Sequence, residues 1–478
     1  MSGLPSNWSE TDLANCCEGD APIIYGILQP KDNVSDGVPY VRPTEIDQTG
    51  RIDRASIRRT SPEIADRYRR STLQTGDIIL SIVGTIGKIA RVPEWLSGGN
   101  ITQSSCRIRF DKQLLDADFA THFLKSPLAT DQYGGSRLGT AVPRLNLADV
   151  RKFRVPLPPL AEQKRIVEKL DSLTTASTEA RTALTRVETL VEQYRQAVLL
   201  AGARGKLTTD WRTNNHPLSV PELLQTYTPP EQPRGGRVAS DSVVDGIGGL
   251  ALNAPERELP EGWQWAALNH LARQETGHTP SRSKPEYWHG GIKWIGIKDA
   301  RLHHGQTIYE TLQTVSQAGL DNSASRLLPA GTVCLSRTAS VGYVFIMGEE
   351  MATSQDFVTW TCGELLVPKY LMYVLMAEGD AIRRFGKGTT HTTIYFPEVR
   401  AMHIALPPPE EQEVIVRRVE EALTQIDTLA NAARSSRGRL DKLDRAVLAK
   451  AFRGELVPQD PKDEPASELL KRLHKEPA

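Results

Sequence analysis

The chain has 478 residues, which is enough for about two to four domains that each bury a hydrophobic core. Hydrophobic residues make up 39% and charged residues 24%, and 58 Lys and Arg balance 58 Asp and Glu. There is no run of about 18 apolar residues and no basic-then-apolar N-terminus, so the sequence predicts neither a membrane span nor a secretory signal. A neutral net charge counts against a nucleic-acid binder unless the positive charge is concentrated locally.

The cysteines also restrict the class of protein. There are five of them, and no two form a CxxC pair. This usage argues against a structural zinc site or a disulfide framework and for a reducing compartment. We therefore expect a cytoplasmic protein.

Residues 1–158 predict a mixed α/β or α+β domain. Short apolar runs alternate with Gly and Pro, and residues 61–71 predict a short helix that begins with a Ser N-cap followed by Pro. Residues 76–93 predict a hairpin, because Gly84 and Gly87 interrupt their apolar run. Arginines concentrate in residues 51–70 and again in 137–154. Such runs are compatible with an ordinary solvated surface or with a face that contacts phosphates.

Residues 159–207 predict one long helix. Apolar side chains recur at alternating steps of about four and three, the spacing of a helix that packs against a partner helix. The helix opens behind Pro158-Pro159 and closes near Arg204-Gly205, which are typical first-turn and C-cap signals. The predicted seam residues are Ile166, Leu170, Leu184, Val191 and Val198. For an isolated helix of this kind, the simplest interpretation is a dimerisation coiled coil.

The second half of the chain repeats the first. After a short predicted helix and a linker rich in Pro, Gly and Ser (residues 208–258, with the flexible stretch at 228–254), residues 259–407 predict a second mixed domain. Residues 408–456 then predict a second long helix, and residues 457–478 a C-terminal tail with a short helix. The predicted seam residues of this second long helix are Ile415, Val419, Leu429, Leu440 and Val447.

The matching segments show how close the two copies are. LPPLAEQ at residue 157 corresponds to LPPPEEQ at residue 406, and AVLLAGARGKL at residue 197 to AVLAKAFRGEL at residue 446, both 249 positions apart. Trp8 corresponds to Trp263 and Gly76 to Gly331, and both pairs are 255 positions apart. Two matched helices within one chain favour pairing with each other over pairing with a second chain. We therefore predict two similar mixed α/β domains separated by two long antiparallel coiled-coil helices, with an internal pseudo-two-fold repeat.

No motif nominates a catalytic centre. SIVGTIGK (residues 81–88) lacks the spacing of a phosphate-binding loop, no GxGxxG opens a helix after a strand, and there is no Asn-Pro-Pro or Asp-Pro-Pro segment. The histidines at 303–304 and 391 have no carboxylate or cysteine partners at metal-ligand spacing. We expect no catalytic residue, no metal site and no cofactor in this chain.

The LPP(L/P)xEQ segments and the AVL…RG(K/E)L exits, each present twice, resemble the specificity subunit of type I restriction–modification systems. The resemblance covers essentially the whole chain, and residues 279–300 also resemble a common opening of the recognition domains of that family. It implies that residues 1–158 and 259–407 are target recognition domains, each of which reads one half of a bipartite, asymmetric site in double-stranded DNA. The two helices would be spacer helices that fix the distance between the half-sites.

The resemblance also implies partners. The helices would dock two methyltransferase subunits that methylate adenine at N6, and a motor–nuclease subunit would join them. S-adenosylmethionine, ATP and Mg²⁺ would belong to those partner subunits, and this chain would be the non-catalytic subunit of the enzyme complex.

Candidate DNA contacts follow from the donor groups near predicted loops. In the first domain they are Arg42, Arg58, Arg59, Lys88, Arg137, Thr140 and Arg144. In the second domain they are Arg282, Lys284, Lys298, Arg337, Lys387, Thr390 and His391.

Other functions remain compatible with the residues alone. One is a coiled-coil adaptor whose two domains bind proteins, which the neutral charge favours and the local arginine runs oppose. Another is an enzyme with an unrecognised site, such as a nuclease. A third is a specificity subunit that serves a methyltransferase without a nuclease.

Overall fold

The structure, a computed structural model, describes residues 3–19, 21–135, 143–233, 238, 249–253, 258–338, 340–386 and 392–473. The chain forms two compact units. Residues 1–185 together with 434–478 make the first unit, and residues 186–433 make the second. In the described ranges, no helix is both long enough and apolar enough to cross a bilayer.

The N-terminal part of the first unit is a mixed domain of short strands and helices. Its elements are β1 (Ser9–Asp12), β2 (Ile24–Tyr25), β3 (Val38–Val41), β4 (Arg58–Thr60), α1 (Pro62–Arg67), β5 (Ile78–Ser81), β6 (Ile89–Arg91), β7 (Asn100–Ile101), β8 (Ser105–Ile108), α2 (Ala117–Lys125), α3 (Pro127–Gly135), α4 (Leu147–Arg151) and β9 (Arg154–Leu157). The strands form three sheets with the orders β1-β9, β2-β8-β5-β6 and β4-β3-β7.

Local sequence explains several of these elements. Ser61 caps α1 by accepting a hydrogen bond from the backbone N–H of Ile64, and Pro62 occupies the first turn. The helix ends at Arg67, before the predicted end at residue 71. The predicted hairpin is confirmed, because β5 and β6 pair antiparallel and every residue of β5 is buried.

The first long helix, α5 (Leu160–Ala203), is followed by the elements of the second unit. These are α6 (Thr209–Asn214), α7 (Val220–Thr226), β10 (Leu250–Ala251), β11 (Gln264–Ala267), α8 (Leu268–Leu271), β12 (Ala272–Thr276), β13 (Trp288–Ile295), α9 (Ile297–Leu302), β14 (Thr307–Ile308), β15 (Gln313–Val315), α10 (Gln317–Asp321), β16 (Val333–Ser336), β17 (Val344–Met347), β18 (Ala352–Thr353), β19 (Phe357–Cys362), α11 (Pro368–Glu378), α12 (Phe396–Arg400) and β20 (Met402–Leu406). The chain ends with α13 (Pro409–Ala451) and α14 (Ala466–Leu473). The sheets of this unit have the orders β10-β20-β11, β12-β19-β16-β17-β14 and β15-β13-β18.

The strand pairings confirm the internal repeat. In the first unit β5 pairs antiparallel with both β6 and β8, and in the second unit β16 pairs antiparallel with both β17 and β19. A short parallel pairing also recurs: Tyr40 lies beside Asn100, and Trp294 lies beside Ala352. Each unit therefore carries the same mixed architecture around its own core.

The predicted linker is partly wrong. Leu250–Ala251 form β10, which pairs parallel with β20, and Leu250 and Leu252 are buried. Two large apolar residues in a Gly-rich segment gave too weak a signal, because their burial depends on a strand about 150 positions later. The predicted linker residues 234–237, 239–248 and 254–257 lie outside the described residues.

The two long helices pair antiparallel, as predicted. In the first unit, Ser177 of α5 donates to Asp444 of α13 at 2.9 Å, and Arg181 forms an ion pair with the same carboxylate at 2.8 Å. In the second unit, Val191 of α5 packs against Ile426 and Ala430 of α13. Early residues of α5 thus contact late residues of α13, and late residues of α5 contact early ones.

The predicted seam is right in part. Ile166, Leu170, Val191, Ile415 and Val419 are buried. Leu184, Val198, Leu440 and Val447 are half-buried.

Leu429 is the exception, because 62% of it is exposed and Ala430 is buried in its place. After Ile426 the seam steps by four residues, whereas the heptad pattern predicted a step of three. Ala430 therefore packs against Val191 and Ile426, and Leu429 lies outside this contact.

A glycine with a positive φ follows the end of each long helix. Gly205 has a φ of 67°, and Gly454 has a φ of 76°. A Cβ on Gly205 would lie 2.8 Å from Pro260 and 2.9 Å from Trp263, and one on Gly454 would meet Pro5 and Trp8 in the same way. Both the backbone angle and the close approach explain why Gly follows Arg at the two exits.

Candidate nucleic-acid interface

Each unit contains a turn built around a buried serine, at residues 81–88 of the first unit and at residues 336–338 and 340–343 of the second. The Ser81 hydroxyl donates to the carbonyl of Thr85 at 2.5 Å and accepts from the backbone N–H of Lys88 at 2.8 Å. The Ser336 hydroxyl donates to the carbonyl of Ser340 at 2.6 Å and accepts from the N–H of Tyr343 at 2.8 Å. We call these two segments the serine turns.

A second segment lies against each serine turn. In the first unit, Leu145 donates its backbone N–H to Ile82 at 2.9 Å, just before α4. In the second unit, Ile394 donates to Arg337 at 2.8 Å, just before α12, and the Thr338 and Thr393 hydroxyls are 2.9 Å apart. The same two loops therefore meet in both units, and their side chains differ.

Three of the predicted DNA contacts lie in these loops: Lys88 and Arg337 in the serine turns, and Arg144 in the second segment. Arg144 is exposed, and its backbone bridges to Val83 of the serine turn. The remaining predicted residues of the second segment lie outside the described residues; they are Arg137, Thr140, Lys387, Thr390 and His391.

Two predicted contacts of the first unit have partners within the fold. Arg42 donates through Nε to Glu45 at 2.8 Å, and the side chain of Glu45 is only 2% exposed. The hydrogen bond with Glu45 raises the pKa of Arg42, so this guanidinium is charged and committed to a buried carboxylate. The ammonium of Lys88 donates to the carbonyls of Pro43 at 2.8 Å and Ile46 at 2.6 Å. Both side chains hold one loop together, and their contact with DNA stays a prediction.

Arg58 and Arg59 are the first two residues of β4, at the edge of the loop before it, and their contact with DNA stays a prediction. Both are exposed, and Arg59 donates to the carbonyl of Gly37 at 2.9 Å. Arg58 makes no ion pair with any described residue, so its guanidinium is available to an anionic ligand.

The described candidates of the second unit differ in how they are held. Lys298 is exposed in the first turn of α9, at the edge of the loop that joins this helix to β13. Arg337 is half-buried and stacks on Phe396, with its Cζ 4.6 Å from the ring centroid, and donates to the carbonyl of Gln355 at 3.0 Å. Burial lowers the pKa of Arg337. Arg282 and Lys284 are exposed on the loop between β12 and β13.

One candidate was missed from the sequence. Ile27 donates to Ile101 at 2.8 Å and His278 donates to Thr353 at 2.9 Å, so the loops that follow these residues correspond to each other. Lys31 is exposed in the first of these loops and has a φ of 58°. Aligning the two halves on the glycines before Ile27 and His278 would have drawn attention to it.

The described residues offer no arrangement for catalysis at a metal or a thiol. They contain no group of three or more His, Cys, Asp and Glu residues placed to hold a metal ion. Burial raises the pKa of Cys17 and of Cys362 to about 12, so neither thiol is ionised at neutral pH.

Known proteins resemble this chain over most of its length. The family model for the type I restriction modification DNA specificity domain matches twice, over residues 12–188 and 260–433. The EcoBI specificity subunit of Escherichia coli is 33% identical over 246 residues, which span 50% of this chain and 51% of that protein. The EcoKI specificity subunit of Escherichia coli K12 is 22% identical over 95% of this chain and 90% of its own length.

Solved structures share the fold. A chain from a study of complex assembly and conformational transition of the type I R-M system superposes with a TM-score of 0.70 at 22% identity, over 95% of this chain and all of that one. The HsdS subunit from Thermoanaerobacter tengcongensis gives a TM-score of 0.56 at 22% identity, over 95% of this chain and 98% of that one.

Proposed function

The chain belongs to the type I restriction modification DNA specificity domain family, and we propose that its two recognition domains each read one half of a bipartite, asymmetric DNA site. The chain is the specificity subunit of the complex and carries no catalytic centre of its own. Its part is to hold a duplex in register, because a base must be extruded from the stack before it can be methylated.

The observation that carries this proposal is the pair of loops found once in each unit. Ser81 and Ser336 build the same turn, and the same second segment lies against it. The side chains on this shared frame differ: Ile82 of the first unit corresponds to Arg337 of the second. One architecture with two different surfaces is what an asymmetric DNA site requires, since sequence is read by side chains at base edges.

The antiparallel helices are the spacer of this complex. Their residues contribute to both units, and we propose that they fix the number of unread base pairs and dock two methyltransferase subunits that modify adenine at N6. A motor–nuclease subunit completes the restriction complex. S-adenosylmethionine, ATP and Mg²⁺ are cofactors of those partner subunits. A chromosomal DNA substrate also implies a cytoplasmic location.

The test is genome-wide adenine methylation, measured by long-read sequencing. Cells would express the partner methyltransferase subunit with and without this chain. We expect a split motif that is methylated only when this chain is present. The absence of new methylation, with the methyltransferase shown to be expressed and associated with this chain, would overturn the proposal and favour a protein-binding adaptor.

A further inference from the structure

Two tryptophans pin the loop that carries Arg282. The indole Nε1 of Trp294 donates to the carbonyl of His278 at 3.1 Å, and that of Trp288 donates to the carbonyl of Ser281 at 3.2 Å. The two rings meet edge to face, with centroids 5.2 Å apart and planes at 84°. The loop is therefore tied to β13 at two points.

The same tryptophans hold the Arg282 guanidinium. Its Cζ lies 4.4 Å from the centroid of Trp288 and 5.7 Å from that of Trp294. Its Nη2 nitrogen donates to the side-chain oxygen of Gln313 at 3.1 Å. A cation stacked on aromatic rings is oriented before its ligand arrives, so less side-chain entropy is lost on binding.

This guanidinium is also free of acidic partners. Among the described residues no carboxylate pairs with Arg282 or Lys284, although both are exposed. Lys293 on β13 is different, because its ammonium pairs with Glu349 and lies 3.1 Å from the carboxylate of Glu310. The positive charge of the loop is thus left for an external anion.

The side chains of the loop define which anion fits. Ser281, Arg282, Ser283 and Lys284 are consecutive and offer hydroxyl and cationic donors, and the Ser281 and Ser283 hydroxyls are 2.9 Å apart. Two acceptors next to the loop are already used, because Arg282 donates to Gln313 and Lys284 donates to the Tyr287 hydroxyl at 3.0 Å. A phosphodiester presents only acceptors, and an arginine fork flanked by hydroxyl donors matches its geometry.

We propose that this loop, residues 281–284, binds a phosphate of the DNA backbone through Arg282 and positions the second unit on the duplex without reading sequence. The inference rests on the DNA-reading function proposed above. Trp288 and Trp294 are positioning residues that hold the guanidinium.

The described residues of the first unit contain no arginine held between two tryptophans in this way. The corresponding loop contains Lys31 together with Asp32 and Asp36, and has no tryptophan in residues 28–37. Tyr40 takes the sheet position that Trp294 has in the second unit. The proposed phosphate contact of Arg282 therefore belongs to only one half of the site.

The test uses the complex of this chain with its methyltransferase subunits. Fluorescence anisotropy would give the Kd for a duplex that carries the methylated motif and for one with a scrambled second half-site, each over a range of salt. For Arg282→Ala we expect affinity to fall by about tenfold on both duplexes and the slope of log K against log salt to shrink by about 0.9. The methylated motif of cells carrying Arg282→Ala should be unchanged.

Two further variants keep the test sharp. Trp288→Leu should weaken binding on both duplexes while the salt slope stays at its wild-type value, because the arginine is less well placed but still reaches the phosphate. Lys293→Ala is the matched control, since it removes a neighbouring cation that is already neutralised, and it should leave the salt slope unchanged. Thermal unfolding at the wild-type midpoint would show that each variant folds.

Three results would overturn the inference. Wild-type affinity for Arg282→Ala would mean that this loop does not contact DNA. Relaxation of one base position in the second half-site would mean that Arg282 reads sequence. An equal change of salt slope in Lys293→Ala would mean that the effect is not local. Failure of the wild-type complex to bind any duplex would instead contradict the proposed function itself.

Discussion

The indole Nε1 of Trp263 donates a hydrogen bond to Oε2 of Glu411 at 2.8 Å, which joins the start of the second recognition domain to the first turn of α13. The same buried carboxylate accepts from the Thr208 hydroxyl at 2.6 Å and pairs with Arg212. Trp8 and Glu162 are the corresponding residues of the first unit. The Glu of each repeated EQ pair thus lies where a long helix meets a recognition domain.

Replacing Glu411 tests whether this junction stabilises the second unit. Glu411→Ala should lower the free energy of unfolding of that unit by about 3–5 kcal/mol, because it leaves the largely buried Arg212 guanidinium without its carboxylate. Urea denaturation followed by tryptophan fluorescence would measure the change. Glu410→Ala, at the adjacent exposed position, is the control and should change stability by less than about 0.5 kcal/mol.

Replacing Glu162 should stabilise the first unit, whereas replacing Glu411 should destabilise the second. Gln459 donates to Glu162 at 2.7 Å, and the nearby Arg165 is paired with Asp463 at 2.7 Å, so no cation of the described part of the chain forms an ion pair with this carboxylate. Burial raises the pKa of Glu162 above its ordinary value, and the folded protein therefore holds this proton more tightly than the unfolded chain does.

The sign of the pH effect follows from that shift. The stability that this group contributes is complete below the ordinary carboxyl pKa and is lost as the pH rises through the raised value. Glu162→Gln should therefore stabilise the first unit relative to wild type at pH 8, and the difference should shrink toward pH 4. Parallel thermal melts across this pH range would measure it. A difference that is independent of pH would show that Glu162 does not titrate in this way.

Arg42 and Arg58 separate a fold role from a DNA role in the first unit. Arg42→Ala should destabilise that unit by about 2–4 kcal/mol, because the buried Glu45 carboxylate loses its cation. Arg58→Ala should leave stability within about 0.5 kcal/mol and reduce duplex affinity, since its exposed guanidinium has no ion-pair partner among the described residues. Denaturation and anisotropy measured on both variants would give the comparison. Equal effects on affinity, with Arg42→Ala still fully stable, would contradict it.

The register of the helix pair can be tested at two adjacent positions. Ala430→Glu should destabilise the pair by about 2 kcal/mol or more, because it places a charge beside Val191 and Ile426. Leu429→Glu changes a side chain that is 62% exposed and should have little effect. Helix content recorded by circular dichroism during urea denaturation would measure both. A larger loss for Leu429→Glu would restore the heptad seam predicted from sequence.

The parts of this fold that could be predicted from the sequence are those fixed by local signals or by the repeat. Paired prolines and Arg-Gly exits mark the ends of α5 and α13, and a fixed offset identifies the two halves. These signals depend on the backbone and on neighbouring residues, so they are readable without tertiary contacts.

The remainder depends on residues that are distant in sequence. Leu250 is buried only because β10 pairs with β20, and Ala430 replaces Leu429 in the seam because of where α5 lies. Lys88 looked like a free loop cation, yet it donates to carbonyls more than 40 positions earlier. Sequence could identify candidate cations at the site but could not show which of them the fold already uses.

The spacer can be tested by lengthening both helices. Ser177 of α5 contacts Asp444 of α13 in the first unit, and Val191 packs against Ala430 in the second, so insertions after Thr185 and after Ala433 both fall between these two contacts in the sequence. One turn of about four residues inserted at each point adds about 6 Å and about 40° of rotation. A base-pair step of DNA is about 3.4 Å and about 35°. We expect the unread spacer of the methylated motif to grow by one or two base pairs while both half-sites stay the same. Long-read methylome sequencing would measure it, with a Gly-Ser insertion of equal length in the 228–233 segment as the control. An unchanged spacer in a variant that still methylates DNA would show that the helix pair does not set the distance.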